Sequence, residues 1–246
     1  MIKYITSRKN EIVKKTIDLK NSKTQNNEKK FIIEGEHLLE MANKANNICY
    51  VITSKHINYI NQDIDQYIVT EDILNKISSQ KSAPSVIAIC SFVNENVDEE
   101  KNLIYLDKVQ DPGNVGTILR TALAFSFFNV LISNDSANKY NEKTIQASQG
   151  AIFNLNIKTI DYSYIKKLKT VGYKIVVTTL NKDSIKLNDF KLKNDEKYVF
   201  VFGSEGKGVR QEIIDLADIK VFIEINNIDS LNVGIAAGIF LYNFRN

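Results

Sequence analysis

Two successive alternations of apolar runs and amphipathic stretches make up the chain. In the first, EIVKKTIDLK sets Ile12, Val13, Ile17 and Leu19 among lysines, the spacing of a short amphipathic helix. KTQNNEKK follows, polar throughout, and predicts a mobile loop. FIIEG predicts a buried strand ending in a turn and EHLLEMANKA a helix. ICYVITS and QYIVT predict two strands, EDILNKISS a helix opening at Thr70 or Glu71, and SVIAICSFV a fourth strand. Short strands alternating with helices predict a small α/β sandwich over residues 1–95.

VNENVDEEKN, at 93–102, is acidic, polar and free of aromatic residues, and predicts a linker. The alternation then restarts: LIYLDKV, NVLISN, FNLNIKT, YKIVVTTL, KYVFVFGS and KVFIEI predict strands, separated by helical stretches and closed by SLNVGIAAGIFLYNFR. These strand runs are apolar on both alternate faces, as parallel strands covered by helices on both sides must be. Residues 100–246 are therefore expected to form an open parallel α/β sheet, with ligands received at the carboxyl ends of its strands.

Composition narrows the chemistry. The 246 residues are 43% hydrophobic and 25% charged, ordinary for a globular chain with a sizeable core. Cys49 and Cys90 are the only cysteines and match no metal spacing; reduced thiols in a cytoplasmic protein are expected. His37 and His56 are the only histidines, which excludes a histidine-rich metal site, and no metal cofactor is expected. No run approaches the roughly 18 apolar residues of a membrane span, and MIKYITSRKNEIVKK lacks an apolar signal core. The net charge is +3, but residues 1–30 carry nine basic groups against Glu11, Asp18 and Glu28. That surplus suits either a solvated helix face or a phosphate-facing arm, and charge alone leaves both open.

Three strand-to-helix stretches carry unusual residues. In LDKVQDPGNVGTILRTALAF, Asn114 is a candidate helix cap, and Arg120 is placed in the second turn of an otherwise apolar helix, beside Gly116, Thr117 and Ala124. The guanidinium needs a partner there, an acidic side chain or an anion such as phosphate. In FVFGSEGKGV, Gly203, Gly206 and Gly208 follow a buried strand and enclose Glu205; the spacing is neither a phosphate loop nor a dinucleotide fingerprint. In IEINNIDSLNVGIAAGIFLYNF, Ser230 is a candidate cap and Asn232 is placed in the first turn. The helix is apolar all round, which predicts deep burial or a subunit interface.

Together and in this order, the three stretches resemble the SpoU (TrmH-like) branch of the SPOUT RNA methyltransferases. NVGTILRTA resembles the first family motif, FGSEGKGV the second and SLNVGIAAGIFLY the third; ASQGAIFNLNI resembles the segment between motifs. ITSRKN and FIIEGEHLLEMA resemble the family's ribosomal-protein-like substrate-binding domain. The family usually has proline before the third motif, where this chain has Ile223-Glu224-Ile225 and a loop about one residue shorter.

The resemblance implies a C-terminal parallel-sheet domain with a deep trefoil knot behind a small N-terminal α/β domain. It implies a homodimer that transfers the methyl group of S-adenosylmethionine to a ribose 2′-hydroxyl of RNA. Ribosomal RNA (23S) is the expected substrate; transfer RNA, or a non-catalytic RNA-binding assembly factor, are the alternatives. Arg120, Asn114, Glu205, Ser230 and Asn232 would serve catalysis. Gly203, Ile223, Ile225 and Leu231 would line the cofactor pocket.

Overall fold

The computed structural model describes residues 1–80, 82, 84–181 and 183–245. Its chain divides into two units, Met1–Val93 with Tyr140–Phe153, and Asn94–Lys139 with Asn154–Asn246.

The first unit is built on strands β1 (Ile2–Ile5), β2 (Lys30–Glu34), β3 (Ile48–Thr53), β4 (Asp65–Val69) and β5 (Val86–Ser91), in the order β1-β4-β3-β5-β2. β5 runs antiparallel to both its neighbours, and β1 and β3 flank β4 in parallel. Helices α1 (Glu11–Asp18) and α4 (Glu71–Ile77) press Val13, Ile73, Leu74 and Ile77 onto Ile32, Ile52, Ile87 and Ile89 of the sheet. A separate stretch, Tyr140–Phe153, completes this unit and carries helix α6 (Glu142–Ser148). Tyr140 stacks on Phe92 at 3.8 Å between ring centroids and lies 4.8 Å from Phe31, with Phe153 6.0 Å from Phe31. Gly150 (φ 84°) passes so close to Met41 that a β-carbon would come within 2.7 Å of it.

Two local expectations fail here. The stretch predicted as a mobile loop forms helix α2 (Ser22–Glu28), because Asn21 caps it by accepting from the Lys23 amide, and Lys29, left-handed at φ 54°, ends it. β1 was not foreseen; three of its four residues are exposed, so its sequence lacks a buried-strand pattern.

The second unit is one all-parallel sheet, ordered β10-β12-β9-β11-β6-β7-β8. Its strands are β6 (Leu103–Asp107), β7 (Asn129–Ser133), β8 (Asn156–Ile160), β9 (Tyr173–Thr178), β10 (Ile185–Lys186), β11 (Lys197–Gly203) and β12 (Ile219–Phe222). β6 and β7 are buried along their whole length, as the unbroken apolar runs predicted. The chain builds outward from β6 to β7 and β8, then returns to place β9, β11 and β12 on β6's other side. β6 and β11 therefore flank a switch point, where loops diverge and leave a crevice. Helices α5 (Pro112–Ala124), α7 (Ser163–Thr170), α8 (Gln211–Ile214) and α9 (Val233–Asn243) complete the unit, α5 packing along α9.

The acidic stretch read as a linker is attached to this sheet. Asn129 Oδ1 accepts from the Asp98 amide, Tyr164 donates to Glu99, and Lys197 pairs with Glu100 at 3.3 Å. Among the described residues no helix is long and apolar enough to cross a membrane.

Both motif helices begin elsewhere than the residues suggested. α5 starts at Pro112, and its cap is Asp111, whose carboxylate accepts from the Asn114 amide at 2.8 Å. Asn114 is therefore inside the first turn, and Arg120 in the third turn rather than the second. α9 starts at Val233, capped by Asn232 and not by Ser230.

Candidate active site

A cleft of about 270 Å³ opens at the carboxyl ends of β9, β11 and β12, at the low end for a small-molecule site. Six residues singled out from sequence line it: Gly203, Glu205, Ile223, Ile225, Ser230 and Leu231. Its walls are mostly apolar. Thr178, Thr179, Ser204 and Ser230 supply hydroxyls, and Glu205 brings a carboxylate.

Glu205 projects from a tight loop. Ser204 and Gly208 exchange backbone hydrogen bonds of 3.1 and 2.9 Å, which pinches off the exposed tip Glu205-Gly206-Lys207. The loop doubles back over Gly203, where a β-carbon would lie 2.2 Å from the backbone of Gly208 and Val209. Only glycine fits under that return.

A hydrogen-bond chain joins the three motifs. Asn232 Oδ1 accepts from the amides of Gly234 (2.9 Å) and Ile235 (3.3 Å). That turns its Nδ2 outward, to donate to Asn114 Oδ1 at 2.9 Å. Asn114 Nδ2 in turn donates to Glu205. Each bond fixes the amide orientation for the next, so the carboxylate is the terminal acceptor. The Asp111 cap makes this possible by leaving the Asn114 side chain free to turn toward Glu205. The N-terminal ends of α5 and α9 meet at this network, and helix N-termini favour negative charge. Their close approach depends on small residues: a β-carbon on Gly234 would sit 3.1 Å from Thr117 Cγ2.

Arg120 is not part of the chain of bonds. It lies on the exposed face of α5 with Thr117 and Ala124, about 9 Å along the helix axis from Asn114. It makes no hydrogen bond or ion pair with any described residue. The acidic partner left open by the sequence is therefore absent among the described residues.

Sequence reasoning missed Asp107 and Arg210. Asp107 ends β6 with no exposed surface and accepts from the Arg210 amide (2.7 Å) and Arg210 Nε (2.6 Å). Arg210 also donates to Asp135 at 3.1 Å and lies 4.8 Å from the Tyr162 ring centroid. Burial lowers the affinity of Arg210 for its proton, and Asp107 more than reverses this, leaving the group above its usual value. The signal was available: a carboxylate closing the apolar run LIYLD needs a buried cation.

Glu224, at the family's usual proline position, pairs with Lys186 at 2.7 Å, linking β10 to the cleft wall at Ile223–Ile225.

Comparisons with known proteins agree with the geometry. A model of the SpoU rRNA Methylase family matches residues 101–242, and one of the MRM3-like substrate binding domain matches residues 10–88. The chain is 30% identical over 250 residues to the 23S rRNA (guanosine(2553)-2′-O)-methyltransferase RlmP of Bacillus subtilis, covering 99% of this chain and 100% of that one. Among solved structures, the AdoMet-bound rRNA methyltransferase from Sinorhizobium meliloti superimposes with a TM-score of 0.84 at 24% identity, covering 98% of this chain and 97% of that one. The SpoU methyltransferase AviRb from Streptomyces viridochromogenes, in complex with AdoMet, gives 0.81 at 18% identity, covering 96% and 97%. With the family matched over most of the chain and three motifs joined by hydrogen bonds beside one cleft, this protein belongs to the SpoU rRNA methylase family of S-adenosylmethionine-dependent RNA methyltransferases.

Proposed function

We propose that the cleft holds S-adenosylmethionine and that the protein, a cytoplasmic homodimer, methylates a ribose 2′-hydroxyl of 23S ribosomal RNA. The observation that carries this reading is the bonding of Asn114, Glu205 and Asn232 across sequence separations of 91 and 118 residues, beside a cleft lined by Glu205.

The residues present fit the cofactor. Leu180, Ile223, Ile225 and Leu231 offer apolar surface to an adenine ring, and the Glu205 carboxylate complements a cationic sulfonium or amine. When bound, S-adenosylmethionine supplies an electrophilic methyl group. The chain's own contribution is alignment and charge placement. Asn114 and Asn232 hold the Glu205 carboxylate in one orientation, where it can accept a hydrogen bond from the ribose hydroxyl. Ser230, on the cleft wall, positions the ribose. Arg120 stays protonated, since a guanidinium pKa exceeds about 12, and stabilises phosphate or developing negative charge on oxygen.

Dimerisation explains the exposed side of α9. The helix is apolar all round, yet Ile235, Ile239 and Tyr242 are 56%, 40% and 53% exposed. A second copy over this face would also enclose Arg120 on the adjacent α5. The basic N-terminal segment, with Lys14, Lys15, Lys20 and Lys23 exposed, would grip RNA phosphates, so binding should weaken steeply with salt. The deep trefoil knot belongs to the same proposal.

Titration calorimetry with S-adenosylmethionine, followed by mapping of 2′-O-methyl sites in RNA from cells with and without the protein, tests the reading. Binding at micromolar cofactor and one ribosomal site lost on deletion are expected. No binding at millimolar cofactor would overturn it. A lost site in transfer RNA would correct the substrate.

A further inference from the structure

The loop that carries Glu205 starts beside a buried residue, Asp107, in the strand register and is tied to that residue's carboxylate where it returns. It leaves the sheet at Gly203, the residue directly opposite Asp107 in the β11–β6 register. It comes back at Arg210, whose amide and Nε bind the two oxygens of Asp107. Asp107 is fully buried, and the Arg210 side chain is only 9% exposed. Arg210 is immobilised on its other sides by Asp135 and the Tyr162 ring. From Asp107 the chain also turns directly into the α5 loop: Lys108 adopts φ 56° and its amide donates to Ser133 at 2.9 Å. Asp107 is thus covalently at the root of the segment bearing Asn114 and non-covalently at the root of the loop bearing Glu205.

A buried ion pair is a poor stabiliser, since desolvating both charges offsets much of their attraction. What this pair supplies is a fixed distance between two loops. The Glu205 tip has no apolar packing to locate it: Glu205, Gly206 and Lys207 are exposed, and nothing lies within 4 Å of where a Gly206 β-carbon would be. Its backbone is placed by the Ser204–Gly208 bridge above the base and by the Asp107–Arg210 clamp at the base, and only its carboxylate is met from outside the loop, by Asn114. Gly203, Ser204, Glu205 and Gly208 all line the cleft, so the clamp sets the shape of the rim as well.

We infer that Asp107, acting through Arg210, is a positioning residue for methyl transfer: it touches neither cofactor nor RNA, and it holds Glu205 and the cleft rim in register with Asn114. This rests on the functional reading above.

The test uses the full-length protein and the variants Asp107→Asn, Arg210→Lys and Glu205→Gln, singly and combined. Hydrogen-exchange mass spectrometry reads the loop without substrate, calorimetry reads S-adenosylmethionine affinity, and single-turnover methylation reads the chemical step. Asp107→Asn is expected to lose protection at residues 204–209, to bind cofactor more weakly and to slow transfer about 100-fold, the scale of a displacement near 1 Å at a reacting centre. Added to Glu205→Gln it should slow transfer no further, because both act through one group. Arg210→Lys keeps the charge and the backbone bond to Asp107 and should retain more of the wild-type rate than Asp107→Asn does; it carries the same measurements should Asp107→Asn not fold. The inference is overturned if a folded variant keeps wild-type loop protection and rate, or if its defect multiplies with that of Glu205→Gln. Failure of the wild-type protein to bind cofactor would instead overturn the functional reading, leaving the exchange measurement to decide whether the clamp orders the loop.

Discussion

At the scale of single residues, the site depends on close contacts that admit no substitute. Gly203→Ala places a methyl group 2.2 Å from backbone atoms that cannot yield, so the glycine loop must lift away from β11. The expected result is a folded protein whose cofactor affinity, by calorimetry, falls at least tenfold, a loss of about 1.4 kcal/mol; wild-type affinity would show that the loop has another resting place. Buried and half-buried phenols set a different limit. Burial, then the charge of Asp107, pushes the Tyr105 hydroxyl far above its ordinary value of 10.0, and burial followed by Glu99 does the same to Tyr173. Burial and the hydrogen bond to Glu99 raise Tyr164 to about 12. The folded chain holds these protons more tightly than the unfolded one. Their contribution to stability is thus complete below pH 10 and declines above it, that of Tyr164 being lost as pH rises through about 12 and those of Tyr105 and Tyr173 at still higher pH. Denaturant midpoints should fall across that window, with tyrosinate absorbance rising in step with unfolding; a flat midpoint would contradict the burial of these hydroxyls.

At the scale of elements, the order of strands and helices in the second unit was legible where its apolar runs are unambiguous; the edge strand β10, two exposed residues with no apolar run, was not. Nor were the ends of those runs. Ser230 and Asn114 are good cap residues by type, yet Asn232 and Asp111 hold those positions, since which polar residue turns back on the helix depends on where the preceding loop delivers it. Placing the caps two or three residues away hid the main fact about Asn114: relieved of capping, it is free to reach Glu205. α2 was missed for a related reason. SKTQNNE has no apolar face, and its one buried residue is the polar Gln25. The Asp107–Arg210 pair could be suspected from a carboxylate after an apolar strand, but not its partner 103 residues away. Asp111→Ala should lower stability by about 1 kcal/mol, the usual worth of a helix N-cap. It should also lower methylation, because Asn114 is then drawn toward the unsatisfied amides. Unchanged activity with reduced stability would separate the two roles of Asp111.

At the scale of the molecule, Ile239→Asp on the exposed face of α9 should yield monomers by light scattering and abolish methylation while leaving the fold intact, if copies meet there. A dimer that survives the substitution would move the contact elsewhere. The two halves of the chain, legible in sequence as separate alternations, are less separable than that pattern suggests. Tyr140–Phe153 is sequentially inside the second half, yet Tyr140 and Phe153 stack against Phe31 in the first. A protease site inserted at 94–102 would therefore sever the backbone without freeing two bodies, and the pieces should elute together until urea parts them. Genetic division at that point would hand one product a portion of the other's interior, so neither half of the coding sequence specifies a self-sufficient part.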